Sequence, residues 1–582
     1  MRCCRLLFAV LFALGGGCDV EEEAIDGIDD PAVPPEKADS PYTGCQLAQV
    51  LVYVNDPATS YDVLRQAAVP KVAVRNIIAH RDGVDGQPGT ADDDRFDDLA
   101  ELDAVPYVGP IALQKLVAAI DARCQAPASV DVIFSPQPYE QSHLARVAQL
   151  IAGAQHSIDL ALYSFSDAKI AAALGEAVTR GVTVRLLFEP ANEERKSPAG
   201  TASARYEDLG IDVRYVNQIM HHKFAIIDGP RDDVAPAATA WLVTGSGNWS
   251  NSAGTRYDEN TVFIQGRSEL VLRFQREFNL LWESSRDFTW NQDLAFFSSL
   301  PIDASMIPDE SGLDAVFTSA NFTVRQTSYG PTFTVVAGSN TVADRLVGLI
   351  EGARKSIHLA SGHLRSWPVA QALLDQRRAH PELDIRIYLD GQEYISASTH
   401  AQQASARAAC LAAAGTDPQK TQACIDNDYY YSYEAHLAGI GLRFKYYAYR
   451  WDFSYAVQMH HKYLVVDGVT LASGSYNLSD NAEHATMENM VIYDGPEHRD
   501  LVQAFEANFE SIWQTGQPDT GLAALQQRIE DQSQPVPLVF DSLALDHPQV
   551  TALKALIRAQ CPAVDSTDYR TDPASHRFCP RP

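Results

Sequence analysis

Along residues 130 to 230 the apolar positions follow two alternating rhythms. Val130-Asp131-Val132-Ile133-Phe134 alternates like a half-buried strand, and Ile158 to Tyr163 and the apolar run Val182 to Phe188 read as further strands. Between them, Tyr139 to Ala154 and Asp167 to Arg180 carry helical signals, and residues 191 to 205 read as a polar loop over a pocket, with Arg195 and Lys196. Phe224-Ala225-Ile226-Ile227 is short, apolar and rich in β-branched residues, and it closes in a turn at Asp228-Gly229. Strands alternating with helices predict an α/β layer fold.

The same succession occurs twice. Leu150-Ile151-Ala152-Gly153-Ala154 through Ile158 matches Leu349-Ile350-Glu351-Gly352-Ala353 through Ile357, and Val182 to Leu187 parallels Leu383 to Tyr388. Met220 to Gly229 returns as Met459 to Gly468. A repeat this long is a domain duplication rather than a solenoid. The expected fold is α/β, with two duplicated lobes facing each other at 128–300 and 301–520, each a mixed β-sheet flanked by helices. A small N-terminal all-α module at 45–125 precedes them, and a C-terminal helix and tail at 521–582 follow.

The most polar part of the repeat is also the most regular. Each copy reads His-x-Lys, four mostly apolar residues, then Asp-Gly. Strand alternation puts His221 and Lys223 on one face, and likewise His460 and Lys462. Gly245-Ser246-Gly247-Asn248 and Asp258-Glu259-Asn260 follow the first copy; Gly474-Ser475-Tyr476-Asn477 and Met487-Glu488-Asn489 follow the second. From Ser246 to Glu259 is 13 positions, as it is from Ser475 to Glu488. From Asp228 to Gly245 is 17 positions but from Asp467 to Gly474 only 7, which predicts a longer loop in the first copy within Gly229 to Ala240.

These residue types suit chemistry at phosphorus. An imidazole near neutrality serves as nucleophile or proton shuttle, and a strand-borne lysine supplies charge. Ser246, Asn248, Ser475 and Asn477 offer hydrogen bonds to substrate, while Glu259 and Glu488 can fix the histidine tautomers. Asp228 and Asp467, at the turns, are expected to be structural. A single His-x-Lys reads as an ordinary surface strand. Two copies with matched Ser, Asn and Glu read as one pocket for a tetrahedral anion, with His221 and His460 on opposite sides of the phosphorus.

Both copies resemble the HKD motif, His-x-Lys-x4-Asp followed by Gly-Ser-x-Asn, of the phospholipase D superfamily, over about residues 130 to 515. The resemblance implies phosphodiester cleavage or exchange without a metal or other cofactor, through a phosphohistidine. One histidine attacks while the other protonates the leaving oxygen and then activates water or an alcohol. Family precedent favours His221 as nucleophile and His460 as acid–base, and the symmetry of the repeat leaves the order open.

Composition alters the outlook for partners. The chain has 582 residues and a formal net charge of −29, which disfavours polyanions at long range. Residues 1–18 read as a bacterial export signal, with Arg2 and Arg5 before the apolar run Leu6 to Leu14, and Gly15-Gly16-Gly17-Cys18 resembles a lipoprotein cleavage box. Residues 19–44 form an acidic linker rich in Asp, Glu and Pro. Of the remaining cysteines, proximity in sequence pairs Cys45 with Cys124, Cys410 with Cys424 and Cys561 with Cys579.

Two further stretches bear on substrate. Tyr61 to Arg81 and Leu99 to Ile120 resemble a tandem helix-hairpin-helix, but residues 45 to 124 hold 12 acids against 7 Lys and Arg, which favours packing over DNA contact. The Asp-rich turn between the two units, Asp82 to Asp94, lacks EF-hand spacing and reads as solvated. An insertion in the second half carries Tyr429-Tyr430-Tyr431-Ser432-Tyr433 and Tyr446-Tyr447-Ala448-Tyr449-Arg450-Trp451, aromatics suited to a core, a lipid interface or base stacking. The expectation is an exported, monomeric phospholipase D-type phosphodiesterase acting on phospholipid, by hydrolysis or transphosphatidylation, with peripheral membrane contact. The alternatives are an exported nuclease of the same superfamily and a non-catalytic binding protein.

Overall fold

The computed structural model describes residues 42, 44–83, 85–90, 92–120, 128–290, 294, 296–516, 520–531, 536–562, 566–567 and 579. The leader, Cys18, the acidic linker and the Cys45–Cys124 pairing lie outside the described residues. No described helix is long and apolar enough to cross a membrane.

Two eight-stranded sheets carry the fold, and they are built strand for strand alike. In lobe 1 the strands are β1 (Ser129–Ser135), β2 (Ser157–Leu162), β3 (Thr183–Phe188), β4 (Asp212–Tyr215), β5 (Ile219–Met220), β6 (Lys223–Ile227), β7 (Trp241–Gly245), β8 (Glu259–Gln265) and β9 (Arg286–Asp287). Lobe 2 has β10 (Leu313–Phe317), β11 (Phe322–Thr327), β12 (Gly330–Val335), β13 (Ser356–Ser361), β14 (Asp384–Asp390), β15 (Gly441–Ala448), β16 (Lys462–Val466), β17 (Thr470–Gly474), β18 (Thr486–Met487), β19 (Asn489–Tyr493) and β20 (Val539–Leu545). The sheet orders are β1-β8-β7-β6-β2-β3-β4-β9 and β10-β19-β17-β16-β13-β14-β15-β20. In each sheet the central three strands are parallel, as β2 with β3 and β4 or β13 with β14 and β15, and the flanking pairs are antiparallel.

The central strands are apolar because both faces are covered: β2, β6 and β16 are buried at every residue or nearly so. One apolar core lies between the sheets and draws on both lobes, including Phe224 and Leu242 from one and Tyr388, Tyr463 and Val491 from the other. The helices Ser268–Glu283 and Arg499–Trp513 fill this layer with Phe274, Phe278, Phe505 and Phe509. Separate cores cover the outer face of each sheet.

Inside this layer lobe 1 carries a buried ion cluster. Arg185 donates two hydrogen bonds of 2.7 Å to Asp159, and Arg231 adds a third of 2.7 Å. Those guanidinium groups outweigh the effect of burial and hold the Asp159 carboxyl below the usual carboxylate range.

One sequence expectation changes and two are filled in. Residues 191–205 are not an open loop. They hold the helix Ala191–Glu194 and the start of Ala202–Asp208, because Glu194 accepts hydrogen bonds from the backbone of Ala202 and Ser203 and caps the second helix. The segment 521–582 carries the expected helix His547–Gln560, which packs Val550, Leu553 and Ile557 into the outer core, and adds a strand, β20, that extends the lobe 2 sheet antiparallel to β15. Most of the inserted tyrosines are core, with Tyr429, Tyr431, Tyr446, Tyr447 and Tyr449 buried, while Trp451 and Phe453 are 38% and 69% exposed.

The disulfides Cys410–Cys424 and Cys561–Cys579 are formed. The former ties the inserted helices Ala397–Ala414 and Pro418–Ile425. In the N-terminal module two helix–turn–helix units are built alike, Tyr61–Gln66 with Lys71–Arg81 and Leu99–Asp103 with Pro110–Ile120. Their turns place Ala68 and Tyr107 at matched left-handed positions, φ 61° and 70°, where glycine would be at ease. The longer first-copy loop packs against this module, with Gln49 Nε2 donating to the Ala235 carbonyl at 2.9 Å.

Candidate active site

The two motifs meet edge to edge across the lobes. Met220 and Met487 lie on β5 and β18, which pair in parallel, and His221 N donates to the Met487 carbonyl at 3.1 Å. The mirrored contact is His460 N to the Asp258 carbonyl at 2.9 Å. Each histidine is therefore held by the backbone just ahead of the other lobe's glutamate.

That exchange decides which carboxylate faces which ring. Glu488 Oε1 lies 2.7 Å from His221 Nδ1, and Glu259 Oε1 lies 2.8 Å from His460 Nδ1. Ser475 Oγ donates to Glu488 Oε2 at 2.7 Å and steadies it. Lys223 Nζ lies 3.2 Å from His221 Nδ1 and donates to the His221 carbonyl at 2.7 Å, and Lys462 Nζ donates to the His460 carbonyl at 2.8 Å. The Glu259 contact is a hydrogen bond that keeps the proton on Nδ1 of His460 and leaves its Nε2 lone pair free, and Glu488 makes the matching ion-pair contact at His221.

Burial sets the proton balance of this cluster. Lys223, Lys462, Glu259 and Glu488 are all fully buried or within 1% of it. Burial, then the charges of Lys223 and Lys462, lower His221 well below its usual pKa; burial, Lys462 and Lys223 do the same to His460. Burial also lowers Lys223 to about 7 and Lys462 to about 8, and raises Glu259 and Glu488 to about 7. The rings are thus neutral and nucleophilic, and the lysines stand ready to gain charge when an anion arrives.

A second layer locks the lobes together. The residues following the two histidines and the two glutamates cross over in the same way: Asn489 Nδ2 meets His222 Nδ1 at 2.9 Å, and His461 Nδ1 meets Asn260 Oδ1 at 3.1 Å. Asn260 Nδ2 donates to Ser473 Oγ at 2.8 Å, and Thr244 Oγ1 donates to Asn489 Oδ1 at 3.1 Å. Ser246 Oγ accepts from Asn260 N at 2.9 Å, as Ser475 Oγ does from Asn489 N at 3.0 Å. These Asn and His pairs recur in both copies, so the repeat itself was the signal that could have found them.

The remaining residues singled out from sequence divide. Asn248 and Asn477 are half-buried, and each leaves a buried Oδ1 without a hydrogen-bond partner among the described residues. Asp228 and Asp467 face away from the histidines. Asp228 accepts from the backbone of Gln155, His156 and Ser157, and Asp467 from that of Arg354, Lys355 and Ser356. Both hold left-handed backbone, φ 54° and 56°.

Unrepeated residues also line the site, and sequence reasoning missed them. The Tyr163 ring lies 4.6 Å from that of His221, and Lys223 Nζ sits 5.1 Å from its centre. His363 lies close enough for its charge to depress His460, and buried Glu393 holds its Nδ1 at 3.0 Å. Lys445 pairs across the lobes with Asp258 at 2.8 Å. Two groups of metal-ligand residues exist among the described residues, His80/Asp94/Glu101 and Glu207/Asp212/Asp287, and neither includes a residue of the paired motifs.

The match to a known family profile agrees with the division into two lobes. The family profile described as "Cardiolipin synthase, PLD-like domain" matches residues 147–282 and 346–513, one match per lobe. The mitochondrial cardiolipin hydrolase of Xenopus laevis is 32% identical over 158 residues, which is 27% of this chain and 69% of that protein. The mouse protein of that name is 32% identical over 148 residues, 25% of this chain and 61% of its own length. Among solved structures, a phospholipase D family member, Nuc from Salmonella typhimurium, is 30% identical over 28% of this chain and 97% of its own, with a TM-score of 0.23. Phosphatidylserine synthase from Haemophilus influenzae is 13% identical and covers 76% of this chain and 97% of its own, with a TM-score of 0.43. The chain belongs to the phospholipase D superfamily, with both of its PLD-like domains in one polypeptide.

Proposed function

We propose that this protein cleaves the phosphodiester bond of phospholipids by double displacement, with His221 as nucleophile and His460 as acid–base. His221 Nε2 attacks phosphorus and forms the N–P bond as the P–O bond to the leaving alcohol breaks. His460, neutral in the free enzyme, takes up a proton from solvent as the anionic phosphate binds and gives it to that oxygen. Neutral His460 then takes a proton from water or an acceptor alcohol, whose oxygen displaces His221 and releases phosphate monoester or exchanged diester. Lys223 and Lys462 balance the charge on the phosphoryl oxygens, and Asn248 and Asn477 hydrogen-bond them. The lysines supply positive charge, so the reaction is written without a metal.

The observation that carries this reading is the crossed support of the two imidazoles, each backed at Nδ1 by a buried carboxylate of the opposite lobe. Because one chain supplies both motifs, the proposed active unit is a monomer. The two disulfides support a protein made for an oxidising compartment, in keeping with export. Exposed Trp451 and Phe453, on the segment leading to His460, support contact with a lipid interface. The names of the relatives point to lipid as well.

The test is hydrolysis of phosphatidylcholine, phosphatidylethanolamine and cardiolipin vesicles against single-stranded DNA, with EDTA present. Release of alcohol from lipid in chelator is the expected result. Turnover of DNA alone would assign the same site to a nuclease.

A further inference from the structure

Lobe 2 contains a cavity of about 230 Å³ whose lining includes no residue of the paired motifs. Tyr394, Tyr446, Tyr449 and Trp451 form its walls, and two cations, Arg450 and Lys554, share it. The Lys554 ammonium sits 4.9 Å from the ring centre of Tyr449, 5.4 Å from Tyr394 and 5.9 Å from Tyr446. Its hydrogen bond goes to the Tyr449 carbonyl at 3.0 Å.

Among the described residues, neither Lys554 nor Arg450 makes an ion pair. In a chain with 75 acidic residues against 46 Lys and Arg, two cations sharing one cavity without an acid are conspicuous. Burial and the charge of Arg450 press the Lys554 pKa down to about 8, so the pair is held in mutual repulsion. An anion between them would relieve that repulsion, while the tyrosine and tryptophan faces would cover an apolar or ring-bearing body.

A hydrogen-bonded path also links the cavity wall to the segment that carries His460. Tyr447, on its wall, reaches the Asp390 carboxylate through its hydroxyl at 3.3 Å, and Asp390 accepts from Met459 N at 2.8 Å, next to His460.

We propose that this cavity is a phosphate-binding subsite, in which Lys554 and Arg450 hold the phosphate of an ester and the aromatic walls cover the group it carries. The phosphate belongs either to a second phosphate of the substrate or to a free phosphate ester that binds as an effector.

Crystals of the full chain soaked in selenate, read by anomalous scattering, test the site independently of any lipid activity. A peak between Lys554 and Arg450 is expected, lost in Lys554→Gln and in the surface variant Arg450→Gln, each of which should keep the anion at the His221–His460 pair. An anion at the histidines with the cavity empty would overturn the proposal. Kinetics then separate the sources. If the substrate supplies the phosphate, Lys554→Gln raises KM about tenfold for two-phosphate cardiolipin and leaves a chromogenic single-phosphate diester unchanged. If a free ester does, both variants lose the response to added glycerol phosphate with either substrate. Unchanged kinetics in both variants on every arm would also count against it.

Discussion

Glu488 belongs to the second lobe, yet its carboxylate lies 2.7 Å from Nδ1 of His221 in the first. The reverse pairing, Glu259 to His460 at 2.8 Å, makes each half of the site incomplete alone. Substituting one glutamate should therefore damage the histidine of the opposite lobe. Glu488→Gln should slow phosphorylation of His221, and Glu259→Gln should slow protonation of the leaving group by His460, each by about 10²–10⁴-fold, the scale for a residue that orients a catalytic histidine. An activated leaving group should rescue Glu259→Gln and not Glu488→Gln. Rescue of both to the same degree would refute the crossed assignment.

The two histidines should separate in a trapping experiment. With an activated leaving group, His460→Ala should still form a covalent adduct on His221 and release it slowly, having lost the base that activates water. His221→Ala should form none. Peptide mapping that finds phosphate on His460 in the His221→Ala variant would reverse the roles.

Activity should fall on the alkaline side earlier than lysine chemistry suggests. Burial lowers Lys223 to about 7 and Lys462 to about 8, so the free enzyme loses phosphate-binding charge over that interval. The profile of kcat/KM should show an alkaline limb between about pH 7 and 8, and an acid limb well below the usual histidine pKa, because burial and both lysines keep His221 neutral. A flat profile to pH 9 would contradict this.

Asp159 should matter for stability and not for chemistry. It bonds Arg185 and Arg231 at 2.7 Å, and those charges hold its folded pKa below the unfolded value. A depressed carboxylate stabilises fully above its unfolded pKa, near 4, and that contribution fades as pH falls toward the folded pKa. Asp159→Ala strands a buried guanidinium and should cost about 3–5 kcal/mol at pH 7 in denaturant titration. A loss under about 1 kcal/mol would mean that the cluster is solvated.

The motif aspartates should behave as clamps. Asp228→Ala and Asp467→Ala each remove a carboxylate that gathers three backbone amides, and each places alanine at positive φ. A loss of about 1–3 kcal/mol per site is expected, with the rate per folded molecule nearly unchanged. A large fall in rate for fully folded variants would instead give them a part in the reaction.

Much of this was legible from sequence, because the repeat preserved spacing. Strand alternation alone put His221 with Lys223 and His460 with Lys462, and the constant 13-residue step tied Ser246 to Glu259 and Ser475 to Glu488. The helix His547–Gln560 was equally plain, since its cap and apolar period are local. Tertiary structure alone decided what crosses between lobes. No one-dimensional signal distinguishes Glu259 serving His221 from Glu259 serving His460, because that choice follows from the pairing of β5 with β18. Tyr163, His363 and the cross-lobe Lys445–Asp258 pair stayed hidden because none of them has a counterpart in the other copy, so no repeat flags them. The place of β20 was hidden too, because a strand's partner is set by which sheet edge is left open, and that edge exists only once β15 has folded.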